Sequence, residues 1–152
     1  MTPYFSIPER IADLRAAAAA WEGTPFRDHW RSKKQGVDCI GLAAAIYTEC
    51  GHLAEFECPA YTIGAWKGVK ESPVLKWVGN SQRFVGVTDG TRQPGDLLCF
   101  TQGRTVYHIG IYLDEGSQLF VHAIAVDGVC KRTLSDPTWA KRLVATYRPV
   151  IA

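Results

Sequence analysis

From residue 94 onward the chain is a succession of short apolar segments separated by turn residues, and segments of this length bury their side chains as neighbouring strands of a sheet. Leu97-Leu98-Cys99-Phe100 follows the turn Gln93-Pro94-Gly95-Asp96. Strands are then expected at 106–113 and 119–126, joined by Asp114-Glu115-Gly116-Ser117-Gln118. Asp127-Gly128 reads as a two-residue hairpin turn into a strand at 129–133, and 143–148 supplies the last strand. A short strand is also expected at 84–87. Connections this short join antiparallel neighbours. Helical stretches come first and strands afterwards, which is an α+β pattern with N-terminal helices packed on the apolar face of an antiparallel sheet.

The helical part begins at Ser6-Ile7-Pro8-Glu9, which has the form of a capping box with proline in the first turn. Ile11, Leu14, Ala18 and Trp21 repeat behind it at helical spacing, so a helix is expected over residues 7–22, ended by Gly23-Thr24-Pro25. Residues 26–36 are polar and basic without a period and read as a loop. His29 in that loop reads as a solvated residue, and Trp30 as a wall for a nearby cleft. A second helix over 40–49 is apolar on nearly every face, hence buried, and Gly51 closes it. Residues 52–68 are irregular and aromatic, with Phe56, Tyr61 and Trp66 serving as core or loop anchors or as substrate contacts. A short helix starting at Ser72-Pro73 and reaching Val78 precedes the strands. No repeat, low-complexity tract or linker divides the 152 residues, and one domain spanning 1–152 is expected.

Gly36-Val37-Asp38-Cys39-Ile40-Gly41-Leu42 sets a cysteine at the start of the second helix, with Asp38 as its cap. The unpaired N–H groups and the positive end of the macrodipole there favour the thiolate, which is the nucleophilic form. Gly41 inside a helix costs about 1 kcal/mol relative to alanine and implies that another segment packs closely against it. An ordinary buried cysteine fits this heptapeptide equally well.

The two histidines at 108 and 122 weigh against the ordinary reading. If the hairpin folds symmetrically about Glu115, Tyr112 faces Gln118, Gly110 faces Phe120, and His108 faces His122. A bulge would alter this register, and a slip of one residue would separate the rings onto opposite faces. A cysteine at a helix start with two imidazoles on an adjoining sheet is a nucleophile, a base and an orienter, and needs no metal or cofactor. His108 is the candidate base and His122 the candidate orienter, with a thiolate–imidazolium pair as the expected resting form. The rival readings are two structural histidines, or zinc held by Cys39, His108 and His122, for which no fourth ligand is evident.

Charge excludes other classes. Seventeen basic against fifteen acidic residues give +2, with no basic run beyond Lys33-Lys34, so neither nucleic acid nor an anionic membrane is indicated as a partner. The five cysteines are scattered, with no C-x-x-C pair, which suits a reduced chain folded in a cytosol. The alanine run 16–20 follows Glu9, Arg10, Asp13 and Arg15, so no signal peptide or membrane span is expected.

Five strings now stand in order: Trp21-Glu22-Gly23-Thr24-Pro25-Phe26, Gly36-Val37-Asp38-Cys39-Ile40-Gly41-Leu42, Pro94-Gly95-Asp96-Leu97-Leu98, His108-Ile109-Gly110-Ile111-Tyr112 and Phe120-Val121-His122-Ala123. Together they resemble the successive motifs of the NlpC/P60 cysteine peptidases. The Asp-Cys-Ile-Gly-Leu form, with Pro59-Ala60-Tyr61-Thr62 after it, most resembles the small cell-wall peptidases of phage and gene-transfer-agent tail modules. The resemblance implies a papain-like core, a Cys39–His108–His122 triad, and hydrolysis of peptidoglycan stem peptides at the bond from D-γ-glutamate to diaminopimelate or lysine. It also implies phage tail proteins as partners and Asp38 helping to hold substrate. Phe26, Trp30 and Tyr61 are the other candidate substrate contacts, and the reduced chain without a signal peptide is expected to be made in a bacterial cytoplasm. Phe26 stands where many members have a tyrosine whose hydroxyl assists the oxyanion, and Ile40 where serine is common. A tail-assembly or wall-binding protein without turnover, and another papain-like thiol hydrolase or acyltransferase, remain as alternatives.

Overall fold

A computed structural model describes residues 1–54, 73–102 and 105–151 of the chain, so Cys58 and Tyr61 lie outside the described residues. The first helix, α1 (Pro8–Trp21), buries Leu14, Ala18 and Trp21 along the expected stripe, with Ile11 at its margin. Its cap differs from the capping box read at Ser6. Pro8 with its fixed φ opens the helix, which makes Ile7 the cap residue, extended at φ −116° and without a side-chain bond.

The loop expected at 26–36 contains a small antiparallel ladder, β1 (Arg31–Ser32) and β2 (Gly36–Val37), pairing Arg31 with Val37 and Ser32 with Gly36. Two residues per strand are too few for an alternating pattern to register in sequence. Lys34 takes a left-handed φ of 67° at the tip, and its N–H donates to Thr24 Oγ1 at 3.0 Å. β2 leads directly into α2 (Cys39–Glu49), whose residues from Cys39 to Tyr47 are all buried. The helix starts one residue earlier than its apolar run, because Asp38 caps it by accepting the Gly41 N–H at 2.7 Å. A third helix, α3 (Pro73–Asn80), buries Val74 and Val78.

The remaining elements are β3 (Phe84–Gly86), β4 (Leu97–Gln102), β5 (Thr105–Asp114), β6 (Leu119–Ile124), β7 (Gly128–Thr133), the short helix α4 (Pro137–Ala140) and β8 (Leu143–Pro149). The strands form one antiparallel sheet in the order β3-β8-β4-β5-β6-β7. Alternation divides their side chains between two cores. Leu97, Cys99, Ile109, Ile111, Leu113, Val121 and Ala123 join α1 and α2 in the main core. Leu98, Phe100, Tyr112 and Phe120 form a second core on the other face, closed by Leu134, Trp139 and Leu143.

Two turns differ from the sequence reading. Ile124 pairs with Gly128, so the loop between β6 and β7 has three residues, 125–127, and Gly128 is the first of its strand at φ +68°. That is the left-handed residue of a bulged hairpin rather than part of a two-residue turn. A side chain at Gly128 would also overlap the Thr24 carbonyl, whose oxygen accepts the Val129 N–H at 2.9 Å. In the β5–β6 hairpin the turn lies at 115–118, with Asp114 Oδ1 accepting the Gly116 N–H at 2.8 Å and Gln118 left-handed at φ 53°. A register shift between Tyr112 and Asp114 then makes Tyr112 face Phe120 instead of Gln118. The hairpin is displaced by two residues from the symmetric pairing, and a displacement of two keeps every side chain on its expected face.

One buried ion pair ties the Pro94-Gly95-Asp96 turn to the last strand. Arg148 donates from Nε to Asp96 Oδ1 at 2.9 Å and from Nη2 to Oδ2 at 2.8 Å, and Asp96 also accepts the Gln93 N–H at 2.8 Å. Asp96 is 1% exposed, so removal of its partner would leave an uncompensated carboxylate in the interior. Arg148→Met is expected to destabilise the fold by about 3 kcal/mol, read as a lower urea midpoint with an unchanged slope. An unchanged midpoint would show that the pair is dispensable.

Candidate active site

The start of α2 is held by its own approach loop. Asp38 is fully buried, and its second oxygen, Oδ2, accepts the His29 N–H at 2.7 Å. One carboxylate therefore fastens both the loop at 29 and the first turn of the helix. His29 adopts a left-handed φ of 64°, and its half-exposed ring lies 3.1 Å from Asp28, consistent with a loop residue at the surface. Gly41 has the packing reason its position implied. A Cβ there would stand 2.9 Å from the Trp30 carbonyl oxygen and 3.0 Å from Asp38 Oδ1. Trp30 itself is 45% exposed and stacked against the Arg27 guanidinium at 4.3 Å. Phe26 bridges to Val37 in parallel and is partly buried against the main core.

Cys39 meets β5 where β5 and β6 part. Tyr112 exchanges backbone bonds on the β4 side, donating to Asp96 O at 2.8 Å and accepting from Gly95 N at 2.8 Å. By the alternation of an antiparallel ladder, the N–H of Ile109 points to the β6 side. Pairing with β6 begins only at Ile111 with Val121, so that N–H has no strand partner across from it. It points instead towards the Cys39 sulfur, and the N–H groups of Ile109, Ile40 and Cys39 itself all favour the thiolate. The tip of α2 thus faces the residue that follows His108.

The two histidines lie on the sheet face away from the main core, beside Phe100, Phe120 and Trp139. His108 Nε2 is 2.8 Å from His122 Nδ1, and both rings are buried. They are brought together across a diagonal of the hairpin rather than directly opposite, because of the two-residue displacement. Gly110 makes the diagonal possible. A side chain there would come within 3.0 Å of Phe120 and the Val121 carbonyl, and within 3.4 Å of His122 Cβ.

Electrostatics depart from the ion pair expected at the helix start. Burial, reinforced by the Asp38 carboxylate, pushes the Cys39 thiol up to about 12 in spite of the three N–H groups that favour the thiolate. Burial, with a smaller contribution from Arg142, lowers His108 to about 3. Burial, then the neighbouring His108, Arg132 and Arg142, lowers His122 to about 3 as well. The resting site is a thiol and two neutral imidazoles. Desolvation outweighs the helix dipole because the dipole acts through one turn, whereas burial removes the whole hydration shell of a charge.

Of the residues the sequence singled out, Asp38 caps the helix that Cys39 opens, Trp30 meets its first turn through the carbonyl oxygen, and Phe26 bridges to Val37 just before it. His108 and His122 form a hydrogen-bonded pair, and Tyr61 lies outside the described residues. Among the described residues no cluster of three or more His, Cys, Asp and Glu side chains could hold a metal, and no helix is long and apolar enough to cross a membrane. Sequence reasoning missed Gly110, although glycine inside an apolar strand is a mark of close approach. It also missed Trp139 and Arg142, for which spacing offers no signal.

The neutral dyad couples stability to pH. In the unfolded chain both imidazoles take up protons near their ordinary value of about 6.5, whereas in the folded chain they do so only near 3. Between these values the unfolded state binds more protons, so their contribution is complete above about pH 6.5 and declines as pH falls towards 3. Urea midpoints measured from about pH 7 down to about pH 4 are expected to fall more steeply for the wild type than for a His108→Gln/His122→Gln variant. Equal slopes would show that the two rings take up protons in the fold as readily as in the unfolded chain.

The family model described as NlpC/P60 matches residues 23–148. The murein DD-endopeptidase MepS/murein LD-carboxypeptidase of Escherichia coli K12 is 32% identical over 136 residues, which cover 90% of this chain and 60% of that protein. Among solved structures, a lipoprotein-like NLP/P60 family protein from Staphylococcus aureus superposes with a TM-score of 0.67 at 24% identity, over all of this chain and 45% of its own. The NlpC/p60 domain of the peptidoglycan hydrolase SagA gives a TM-score of 0.56 at 18% identity, over 93% of this chain and 98% of its own. These two structures share the α+β papain-like fold, while the family-wide match runs through both the Cys39 and the histidine motifs. The chain belongs to the NlpC/P60 family.

Proposed function

We propose that this chain is a cysteine endopeptidase of the bacterial cell wall, with Cys39 as nucleophile, His108 as general base and acid, and His122 as the group that orients His108. The observation that carries the reading is the 2.8 Å contact of His108 Nε2 with His122 Nδ1. It leaves His108 Nδ1 as the ring nitrogen available to a thiol, and the N–H of Ile109, the next residue, favours the charged form of Cys39. Membership of a family whose relatives are named as murein peptidases and a peptidoglycan hydrolase supports the substrate class.

In this reading the proton moves as the bond forms, since the resting pair is neutral. Cys39 Sγ attacks the peptide carbonyl while its proton passes to His108 Nδ1. The carbonyl oxygen takes the negative charge within reach of the N–H groups at the start of α2. The C–N bond then breaks, His108 protonates the departing amine, and a thioester remains on Cys39. Water attacks the thioester, its proton goes to His108 and from there to the sulfur, and the acid is released. Phe26 provides no hydroxyl to assist the oxyanion, which leaves that task to the backbone.

The stem peptide is taken to lie along the approach loop past Trp30 and Phe26, with Tyr61 a further contact. Asp38 acts indirectly, by holding that loop and the helix tip. The bond is proposed to be D-γ-glutamyl to diaminopimelate, whereas the name of the E. coli relative points to DD and LD bonds. A single catalytic domain made in the cytoplasm and delivered to the wall in a phage tail completes the proposal. Deep burial of Cys39, 3% exposed, favours a second reading in which the fold binds wall peptide or a tail partner without turnover.

Incubation with purified peptidoglycan, followed by mass analysis of released fragments, separates these possibilities and identifies the bond. Wild type is expected to release new amines. Cys39→Ala and His108→Ala are each expected to lose at least about a hundredfold in rate while remaining folded. A reduced, folded wild type that releases nothing from several wall types would favour the binding reading.

A further inference from the structure

His122 carries a buried polar atom that the triad does not use. Its Nδ1 faces His108, whereas its Nε2 is enclosed without a hydrogen-bond partner among the described residues. The tautomers follow from the proposed function, on which this inference rests. If His108 Nδ1 is to accept the thiol proton, its own proton sits on Nε2 and is donated to His122 Nδ1. The proton of neutral His122 is then on Nε2, so the enclosed atom is a donor. A donor left unpaired in the interior carries its full desolvation cost, which would be relieved by moving the proton to Nδ1. That shift would turn the dyad round and put the His108 proton on Nδ1, where it blocks the base.

Something must hold His122 in the productive tautomer. The nearest ring is Trp139 of α4, with centroids 4.7 Å apart and planes at 79°, an edge-to-face arrangement. We propose that Trp139 is a positioning residue, whose indole face accepts the Nε2–H of His122 and so keeps His108 Nδ1 open to the Cys39 proton. An electron-rich ring face is a weak acceptor, but it competes here with no stronger acceptor among the described residues. Phe120 also meets His122 edge to face at 5.0 Å, with a less electron-rich ring.

The indole is itself fixed. Asp136 caps α4 by accepting the Thr138 N–H at 2.9 Å, and Pro137 opens the helix. Arg142 stacks its guanidinium 4.9 Å from the Trp139 centroid and donates from Nε to Thr101 O at 3.0 Å. Thr101 returns the contact by donating its N–H to Arg142 O at 2.8 Å. Trp139 also lies against His108, with centroids 5.8 Å apart, and so covers both members of the dyad.

Two substitutions separate this role from simple packing. Trp139→Phe keeps a ring face, whereas Trp139→Leu keeps apolar bulk and removes the acceptor. In protein labelled with ¹⁵N-histidine, the wild type is expected to show His122 protonated on Nε2, with that proton shifted upfield by the indole. Trp139→Phe is expected to retain the tautomer. Trp139→Leu is expected to lose the upfield shift and populate the Nδ1–H form, and to lower kcat about two- to fivefold with little change in KM. His122 protonated on Nδ1 in the wild type, or a Leu variant with unaltered resonance and kcat, would overturn the inference. The resonance can be read in a protein that cleaves nothing, so a failed cleavage assay counts against the proposed function, and the histidine spectrum alone then decides the role of Trp139.

Discussion

The structure depends on a parting of two strands. β5 and β6 are paired as far as Ile111 and Val121 and then separate, and the tip of α2 presents Cys39 to the backbone of Ile109 at that point. Were the ladder to continue, the Ile109 N–H would be satisfied by β6 and the sulfur would have no place beside it. Two features support the gap from either side. Asp38 draws the loop at His29 and the first turn of α2 onto one buried carboxylate. Gly110 lets β6 cross β5 closely enough for His122 to reach His108 diagonally. The helix packs in the main core, and the dyad lies on the opposite face of the sheet.

Burial sets the character of the site. Three N–H groups at the sulfur would ordinarily stabilise a thiolate, yet enclosure and the adjacent Asp38 outweigh them, and the same enclosure keeps both imidazoles neutral. In the proposed mechanism, a neutral resting site defers charge separation until substrate arrives. The backbone donors at the helix start are then fixed dipoles already oriented towards the place where charge develops. Aromatic cover from Phe100, Phe120 and Trp139 is part of this electrostatic state as well as part of the packing.

Much of this was legible in the chain. The succession of short apolar segments and turns after residue 94 points to the sheet, and Asp38 followed by an apolar run points to the capped helix, because both signals are local in sequence. The pairing of His108 with His122 survived a wrong register, since the displacement was even and parity alone decides the face. The displacement itself was hidden. It arises from Asp114 folding back on Gly116 and from Gln118 in a left-handed turn, neither of which a symmetric hairpin anticipates. The neutral thiol was hidden too, because the helix dipole is visible in sequence and desolvation is not. Trp139 reaches the dyad from a four-residue helix whose place depends on Arg142 and Thr101, contacts that no spacing announces.

The most direct test is to quench a reaction of the protein with a diaminopimelate-containing stem peptide in acid and weigh the intact protein, then map any adduct. A thioester on Cys39 carrying the acyl half of the peptide, absent from Cys39→Ala, is the predicted result. Cleavage without any adduct on Cys39 in pre-steady-state samples, or acylation of Cys50 or Cys130 instead, would contradict the account.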